Sequence, residues 1–373
     1  MSVQICSRCL LNSAIPNINF DDKGECTYCK IHDSFEDEYS LDQGELKLAE
    51  IIEKIKNERN RYDCIVGVSG GCDSSYLLYK TKEWGLRPLA VHFDNNWNTD
   101  VAKENMSKLV NKLNVDFLKV GVDKKEYDDI CRSFLLAGVP DADIPNDIAL
   151  ATVLYFAADK MGVPWIFNGH SFRTEGTSPL GWSYMDGKYV QSIHKLFGKE
   201  RMETFPNLWL SKWLRWIVLK RIKRIRPLWF IDYQKEAVKK FLNDEFGWQW
   251  YGGHHLENRY TIFSTSYYQP RKFDIDLRYV EYAALVRSGQ MNRQEAINAL
   301  KQPPEMDSDI IEEVKKRLNL SNEEFDAVMA QPRKTHHDYE TYHQTFRRWR
   351  WFFWILSKFD LIPKTFYVKY TSV

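Results

Sequence analysis

The chain of 373 residues lacks any run of about eighteen uninterrupted apolar residues, and no N-terminal stretch joins a basic flank to an apolar segment. The first absence excludes a membrane-crossing helix, and the two together give the expectation of a cytoplasmic protein. Net charge is also nearly absent, with 52 Lys and Arg against 51 Asp and Glu, a balance of +1. Such a chain has no long-range field for gathering nucleic acid, so a nucleic-acid partner is not expected and any basic surface is local. No internal repeat is visible, which removes solenoid architectures. Glycine, four residues and Gly-Lys-Ser/Thr never occur in that spacing, so there is no Walker A loop. Seven cysteines, an odd number, do not fit a disulfide framework.

What is present begins with an apolar stretch, Cys64 to Val68, that breaks into Ser69-Gly70-Gly71-Cys72-Asp73-Ser74 and restarts as a helix. Two adjacent glycines let backbone N–H groups approach an anion closely, and a helix starting near Ser74 aims its free N–H groups and positive dipole end at the same point. Ser69 and Ser74 add hydroxyls, and Asp73 is placed to hold Mg²⁺ against the phosphates of a nucleotide. An ordinary strand-to-helix turn seldom needs Ser, Gly-Gly, Asp and Ser together. The stretch resembles the PP-loop signature of ATP pyrophosphatases, Ser-Gly-Gly-x-Asp-Ser, at all six positions. That resemblance implies cleavage of ATP between the α- and β-phosphates and adenylylation of a substrate oxygen.

Four of the cysteines form two knuckles, Cys6-Ser-Arg-Cys9 and Cys26-Thr-Tyr-Cys29, separated by sixteen residues that include Pro16, Asp21, Asp22 and Gly24. Four thiolates so spaced can surround Zn²⁺ tetrahedrally and leave no open position for catalysis. A redox pair and free thiols are the competing readings. Acidic residues at 33–45 and apolar ones at 46–55 predict an amphipathic helix leading to the first strand.

From Asp63 the pattern alternates strand and helix. Leu86 to Phe93 and Val115 to Val120 are expected as buried strands, Ile148 to Met161 as a helix, and Pro164 to Phe167 as a fourth strand. The fold class is therefore α/β, a doubly wound parallel sheet with an N-terminal zinc module (1–40), a nucleotide domain (41–200) and a helical C-terminal region (201–373). Ligands of such sheets sit at the carboxyl ends of the strands. Those ends are polar here: Asp94 to Asn96 and Asn98 after the second strand, Asn168-Gly169-His170-Ser171 after the fourth, with Asp141, Asp143 and Asp147 before the 148–161 helix. By the PP-loop resemblance Asp94 lies near adenosine, and Gly169 and His170 face the α-phosphate, His170 as a catalyst or as a satisfied structural histidine.

Beyond residue 171 the rhythm is lost. Arg173-Thr174-Glu175-Gly176 and 182–186 read as substrate-facing loops, with Glu175 a candidate contact. Leu208 to Arg226 is expected as a helix with Trp209, Trp213 and Trp216 on one face and seven Lys or Arg residues around them. Packing against neighbours, docking of a protein partner, peripheral contact with an anionic membrane and nucleic-acid stacking compete there, and Arg347 to Leu356 repeats the composition. His254 and His255 sit with Glu257 in a Tyr-Gly-Gly-His-His-Leu-Glu-Asn block, without the His-Glu-x-x-His spacing of a metalloprotease, and are candidate substrate contacts. Arg271 and Lys272 are expected to reach the triphosphate from the far side, Lys272 holding the charge that develops as pyrophosphate leaves. Residues 279–330 read as helical, with caps at Asn292/Glu295 and Ser321/Glu324.

Taken in order, the knuckles, the PP-loop, Asn168-Gly-His170, Thr174-Glu-Gly176, the Tyr251–Asn258 block, Arg271-Lys-Phe-Asp-Ile-Asp276 and Ser288-Gly-Gln-Met-Asn-Arg-Gln-Glu-Ala296 resemble the N-acetyl sugar amidotransferases of O-antigen and flagellar-glycan pathways, the WbpG type. The resemblance spans about Cys6 to Leu300. It implies an ATP-dependent amidotransferase of lipopolysaccharide biosynthesis that adenylylates the acetamido oxygen of a UDP-linked sugar, a diacetamido uronic acid, and replaces it with ammonia. It also implies a separate glutaminase subunit with a cyclase-like barrel, resembling the histidine-biosynthesis pair, because Cys6 is not N-terminal and Cys131 lies in an ordinary helical pattern. A tRNA-modifying PP-loop enzyme, thiolating or lysidine-type, is the rival, and an ATP-binding zinc scaffold without turnover is a second.

Overall fold

Five strands, Cys64–Gly67 (β1), Pro88–Asp94 (β2), Asp116–Gly121 (β3), Trp165–Phe167 (β4) and Lys223–Ile225 (β5), pair in parallel in the order β3-β2-β1-β4-β5. This computed structural model describes residues 3–58, 60–253 and 256–371. The strand order reverses between β1 and its two neighbours, β2 and β4, so the crevice at their carboxyl ends is the topological switch point where such sheets bind ligands.

Strand alternation explains how both faces are covered. Ile65, Leu89, Val91, Phe93 and Ile166 point to one core with Ile148, Val153 and Ile130 of the helices Ile144–Met161 and Lys124–Ala137. Cys64, Val66, Ala90, Trp165 and Phe167 point to the other, against Leu77 and Leu78 of Cys72–Glu83, Leu48 and Ile52 of Leu41–Lys56, and Leu242 of Lys235–Phe246. Burial on both faces is what a parallel sheet requires. β3 departs from the expectation of a buried strand. It is an edge strand whose residues alternate between exposed and half-buried, and Phe117 is exposed.

The segment 208–226 is not one helix. A short helix Leu210–Leu214 passes into a π-turn, Arg215–Leu219, Arg221 takes a φ of 53°, and the chain enters β5 beside β4. Trp216 is fully buried, stacked on Tyr155 at 5.5 Å, and its indole N–H donates to Asp159 Oδ2 at 3.0 Å. Arg215 and Lys220 pair with the same carboxylate. Packing therefore accounts for Trp216 and for two of the cations.

After β5, helices follow to the C-terminus, including Arg278–Arg287, Arg293–Leu300, Ile310–Arg317 and Asn322–Ala330. Ser321 and Glu324 form a reciprocal capping box, whereas Asn292 caps one way, accepting from Gln294 and Glu295 N–H. No helix of the described residues is long and apolar enough to cross a membrane.

Asp141 is a structural acid. It is buried, accepting from Tyr184 N–H at 2.9 Å and Tyr189 O–H at 3.0 Å, and burial pushes its pKa up to about 7. A carboxyl raised above its unfolded value adds stability that is complete below about pH 4 and is lost as pH rises through about 7. Asp141→Asn is expected to raise the melting temperature by a few degrees at pH 8 and to change it little at pH 4.5, as read by scanning calorimetry.

Candidate active site

β1 ends in a loop closed on its own hydroxyls. Ser69 N–H donates to Ser74 Oγ at 3.2 Å, Gly71 N–H donates to Ser69 Oγ at 3.2 Å, and the Cys72 N–H faces the Tyr251 phenol oxygen. Hydroxyl oxygens thus sit where a phosphate's oxygens would meet the helix N-terminus. Gly70 has a φ of +84°, and a Cβ there would lie 2.3 Å from the Ala102 carbonyl. So Gly70 tolerates no side chain, whereas at Gly71 a Cβ would lie 2.9 Å from the Tyr251 hydroxyl and 3.2 Å from Glu257 Oε1 and would push those side chains off the loop. The helix begins at Cys72, two residues earlier than expected, with Asp73 in its first turn. Gly169, after β4, lies so close that a Cβ would be 3.1 Å from the Asp73 and Ser74 backbone. The loop Ser69–Ser74 and Gly169 are therefore brought together at the switch point.

The loop is strapped from outside. Trp248 Nε1–H donates to the Gly70 carbonyl at 2.9 Å, Asn105 donates to the same oxygen at 3.3 Å, and Asn105 exchanges hydrogen bonds with the Gln249 backbone. Tyr251 and Glu257 lie over the mouth. Residues 257–259 are laid along the chain after β2: Thr99 N–H donates to Glu257 O, and Arg259 N–H donates to Trp97 O.

Charged groups gather on the Asp73 side. The buried Tyr233 hydroxyl donates to Asp73 Oδ1. Lys235 is buried, and its ammonium donates to Glu281 Oε1 at 2.9 Å. Burial works to lower the Lys235 pKa, but Glu281, Asp73 and Glu175 around it outweigh burial and hold it above the ordinary lysine value, so the amine stays charged. Gln290 fixes the segment, accepting from Lys235 N–H at 2.9 Å and donating to Tyr233 O at 3.0 Å. Ser288 Oγ donates to the Arg173 carbonyl at 2.8 Å, and Gly176 packs within a Cβ's reach of Val280 and Ala284. The Thr174-Glu-Gly176 and Ser288-Gly-Gln290 blocks, far apart in sequence, thus meet around Lys235.

His170 accepts the Trp229 indole N–H at Nδ1, 3.3 Å, and receives its backbone turn from Asn168. Asp94 caps the β2 end, bonded to Asn96 N–H at 3.0 Å and paired with Lys119 at 2.5 Å. Glu175 accepts from Ser171 N–H and faces Lys235. His254 and His255 lie outside the described residues. Arg271 is exposed over the Tyr267 ring.

Lys272 is a correction. Its ammonium is buried and donates to the carbonyls of Val328, Met329 and Gln331 at 2.5, 3.3 and 2.8 Å, ending the helix Asn322–Ala330. A cation satisfying the last carbonyls of a helix has no hydrogens left for a triphosphate. Lys272→Met is expected to cost about 1–3 kcal/mol of stability, by chemical denaturation, and to leave ATP turnover unchanged in the folded protein.

The sequence reading missed Lys235, Tyr233, Glu281, Trp248 and Asn105. Lys235 carried one signal, a cation in the first turn of a helix, against the macrodipole.

Cys6, Cys9, Cys26 and Cys29 form a buried set placed as the ligands of one metal ion would be. Their sulfurs lie within 4.8 Å of one another, with three separations of 3.7 Å. A regular tetrahedron of Zn–S bonds of about 2.3 Å has sulfurs about 3.8 Å apart, so the set fits one ion. A polynuclear iron–sulfur cluster needs its thiolates farther apart. The module is tied to the site. Arg173, next to the 174–176 loop, forms a two-pronged pair with Glu36 at 2.6 and 2.9 Å, and Arg293 donates to the carbonyls of Cys9 and Cys6.

Residues 257–355 match the sequence model of a family described as LPS biosynthesis protein WbpG-like, C-terminal domain. An uncharacterized protein of Methanocaldococcus jannaschii is 27% identical over 167 residues, 44% of this chain and 58% of that protein. The tRNA-specific 2-thiouridylase MnmA of Pseudoalteromonas translucida is 30% identical over 149 residues, 36% of this chain and 38% of that protein. The chain thus spans less than two thirds of each of these relatives. Among solved structures, the NH3-dependent NAD synthetase of Campylobacter jejuni superposes with a TM-score of 0.34 at 13% identity, covering 72% of this chain and all of that one.

Proposed function

We propose that the protein is an ATP-dependent amidotransferase that converts an acetamido group of a UDP-linked sugar, a diacetamido uronic acid, into an acetamidino group during lipopolysaccharide O-antigen synthesis. One observation carries this reading. The segment matching the WbpG-like domain supplies Glu281, which pairs with Lys235 beside Asp73 of the phosphate loop, and begins at Glu257 over the loop's mouth.

An amide oxygen is a poor leaving group until it is adenylylated. The acetamido oxygen attacks the α-phosphorus of ATP, pyrophosphate leaves, ammonia adds to the imidate carbon, and AMP departs with the former carbonyl oxygen. In this reading the N–H groups of Ser69, Gly71 and Cys72 exchange their hydroxyl acceptors for the β- and γ-phosphate oxygens. Lys235 holds the charge that grows on pyrophosphate, and His170 orients at the α-phosphate. Asp73, with Glu175 nearby, offers the hard oxygen ligands that Mg²⁺ takes, and the ion would supply charge neutralisation at the phosphates. The four cysteines hold structural zinc. Ammonia comes from a separate glutaminase subunit that docks with a cyclase-like barrel.

The identity to a tRNA-specific 2-thiouridylase favours tRNA thiolation as a second reading. Against it, all seven cysteines are buried, and burial pushes Cys72, the thiol inside the loop, up to about 12, far from the thiolate that sulfur transfer needs. Chromatography of the products separates the two readings. AMP and pyrophosphate in equal amounts, only with an acetamido sugar nucleotide and ammonia present, supports the first; ADP, or AMP driven by tRNA alone, overturns it. Asp73→Asn is expected to lose turnover in the same assay while its circular dichroism stays that of the parent.

A further inference from the structure

The C-terminal helices His343–Arg348 and Arg350–Lys358 carry an aromatic face that none of the described residues covers. Phe346, Phe353 and Leu356 point inward and are buried, whereas Trp349, Trp351 and Trp354 are 45%, 67% and 50% exposed and Phe359 is 73% exposed. Trp351, Trp354 and Lys358 follow one another at helical spacing on the outer side. Burying these rings only partly leaves a large apolar area in water, which is uncommon without a purpose.

The charge around them is mainly positive, although Glu38 pairs with Lys364 at 3.7 Å. Arg347, Arg348, Arg350 and Lys358 are exposed, and Asp360 is the only acidic residue in 343–371. The basic segment 208–221 joins this region through Trp213, whose ring meets Phe366 at 5.0 Å, and it adds the exposed Lys212 and Leu219. Tryptophan flanked by arginine and lysine, on a short amphipathic helix, is the composition that settles at a lipid headgroup boundary, where the ring is half apolar and the cations meet anionic phosphates. The shape agrees. The cavities of about 840 and 680 Å³ at residues 96–103 with 251–317 and at 124–132 with 313–319 lie elsewhere, and the rings that stay exposed here stand on the outer side of a helix.

We propose that this face docks the protein peripherally on an anionic membrane surface, with Trp351, Trp354 and Phe359 at the headgroup level and Arg347, Arg348 and Lys358 on the lipid phosphates. The proposal is independent of the catalytic reading. It is tested by co-sedimentation of the full chain with vesicles of phosphatidylglycerol and phosphatidylcholine, and with phosphatidylcholine alone. Binding to the anionic vesicles is expected, at least about tenfold weaker on the neutral ones and weakened by salt. W351S/W354S is expected to lose about tenfold or more and the blue shift of tryptophan emission. R347Q/R348Q is expected to lose roughly twenty-five-fold, at about 1 kcal/mol per cation. Unchanged melting temperatures show that both variants fold. No binding to anionic vesicles, binding equal on neutral ones, or binding untouched by either double variant overturns the proposal. So does a concentration-dependent dimer, by light scattering without lipid, that W351S/W354S abolishes, which assigns the face to a second copy of the chain.

Discussion

Lys235→Met is expected to lower the rate of pyrophosphate release by about 10²–10³-fold, the cost of removing one preorganised group aimed at developing charge. The expectation rests on a lysine that stays charged although buried, because Glu281, Asp73 and Glu175 surround it. A structural role would give a different pattern. Removing the lysine takes its ion-pair partner from the half-buried Glu281, so the single variant is expected to melt early. Lys235→Met with Glu281→Gln removes both charges and is expected to recover most of the melting temperature and none of the activity. Recovery of both would make Lys235 a scaffold residue only.

Stripping a metal from the four-cysteine set is expected to have the second large effect. Structural zinc sites are worth about 10–16 kcal/mol of apparent binding energy at neutral pH, and that energy is folding energy where the site does not exist in the unfolded chain. Here Cys6, Cys9, Cys26 and Cys29 also nucleate a small core with Leu10, Ile15, Trp182, Ile275 and Val280. Cys26→Ser, or treatment with a strong chelator, is expected to abolish the cooperative melting of this core. Activity falls with it, because Arg173 and Arg293 transmit the module's position to the loops around Lys235. Mass spectrometry of the native protein should find one zinc per chain, and full stability after complete metal loss would remove the structural role.

Local chemistry was legible in the sequence and long-range pairing was not. The Ser69–Ser74 loop was visible because Ser69, Gly70, Gly71, Asp73 and Ser74 lie within six residues, and the cysteine set because thiol spacing within each knuckle is short. β1, β2 and β4 were visible as apolar runs, being buried on both faces. β5, Lys-Arg-Ile at the sheet edge, has no such pattern and was hidden inside a basic segment that reads as helix. Lys235 and Lys272 could not be told apart for the same reason. Each is one lysine in a polar stretch, and what assigns them is the partner brought by the fold: Glu281 and Gln290 for Lys235, the end of the helix Asn322–Ala330 for Lys272. The tryptophans divided likewise, Trp216 into the core and Trp351 into solvent, by which side of the helix met a neighbour.

The adenylylation step itself can be followed through one atom. With ¹⁸O in the acetamido carbonyl of the sugar nucleotide, a full turnover with ATP and ammonia should place the label on the phosphate of AMP, one label per AMP, by mass spectrometry. Label absent from AMP while the amidine forms, or label found in pyrophosphate, would contradict attack of the acetamido oxygen on the α-phosphorus.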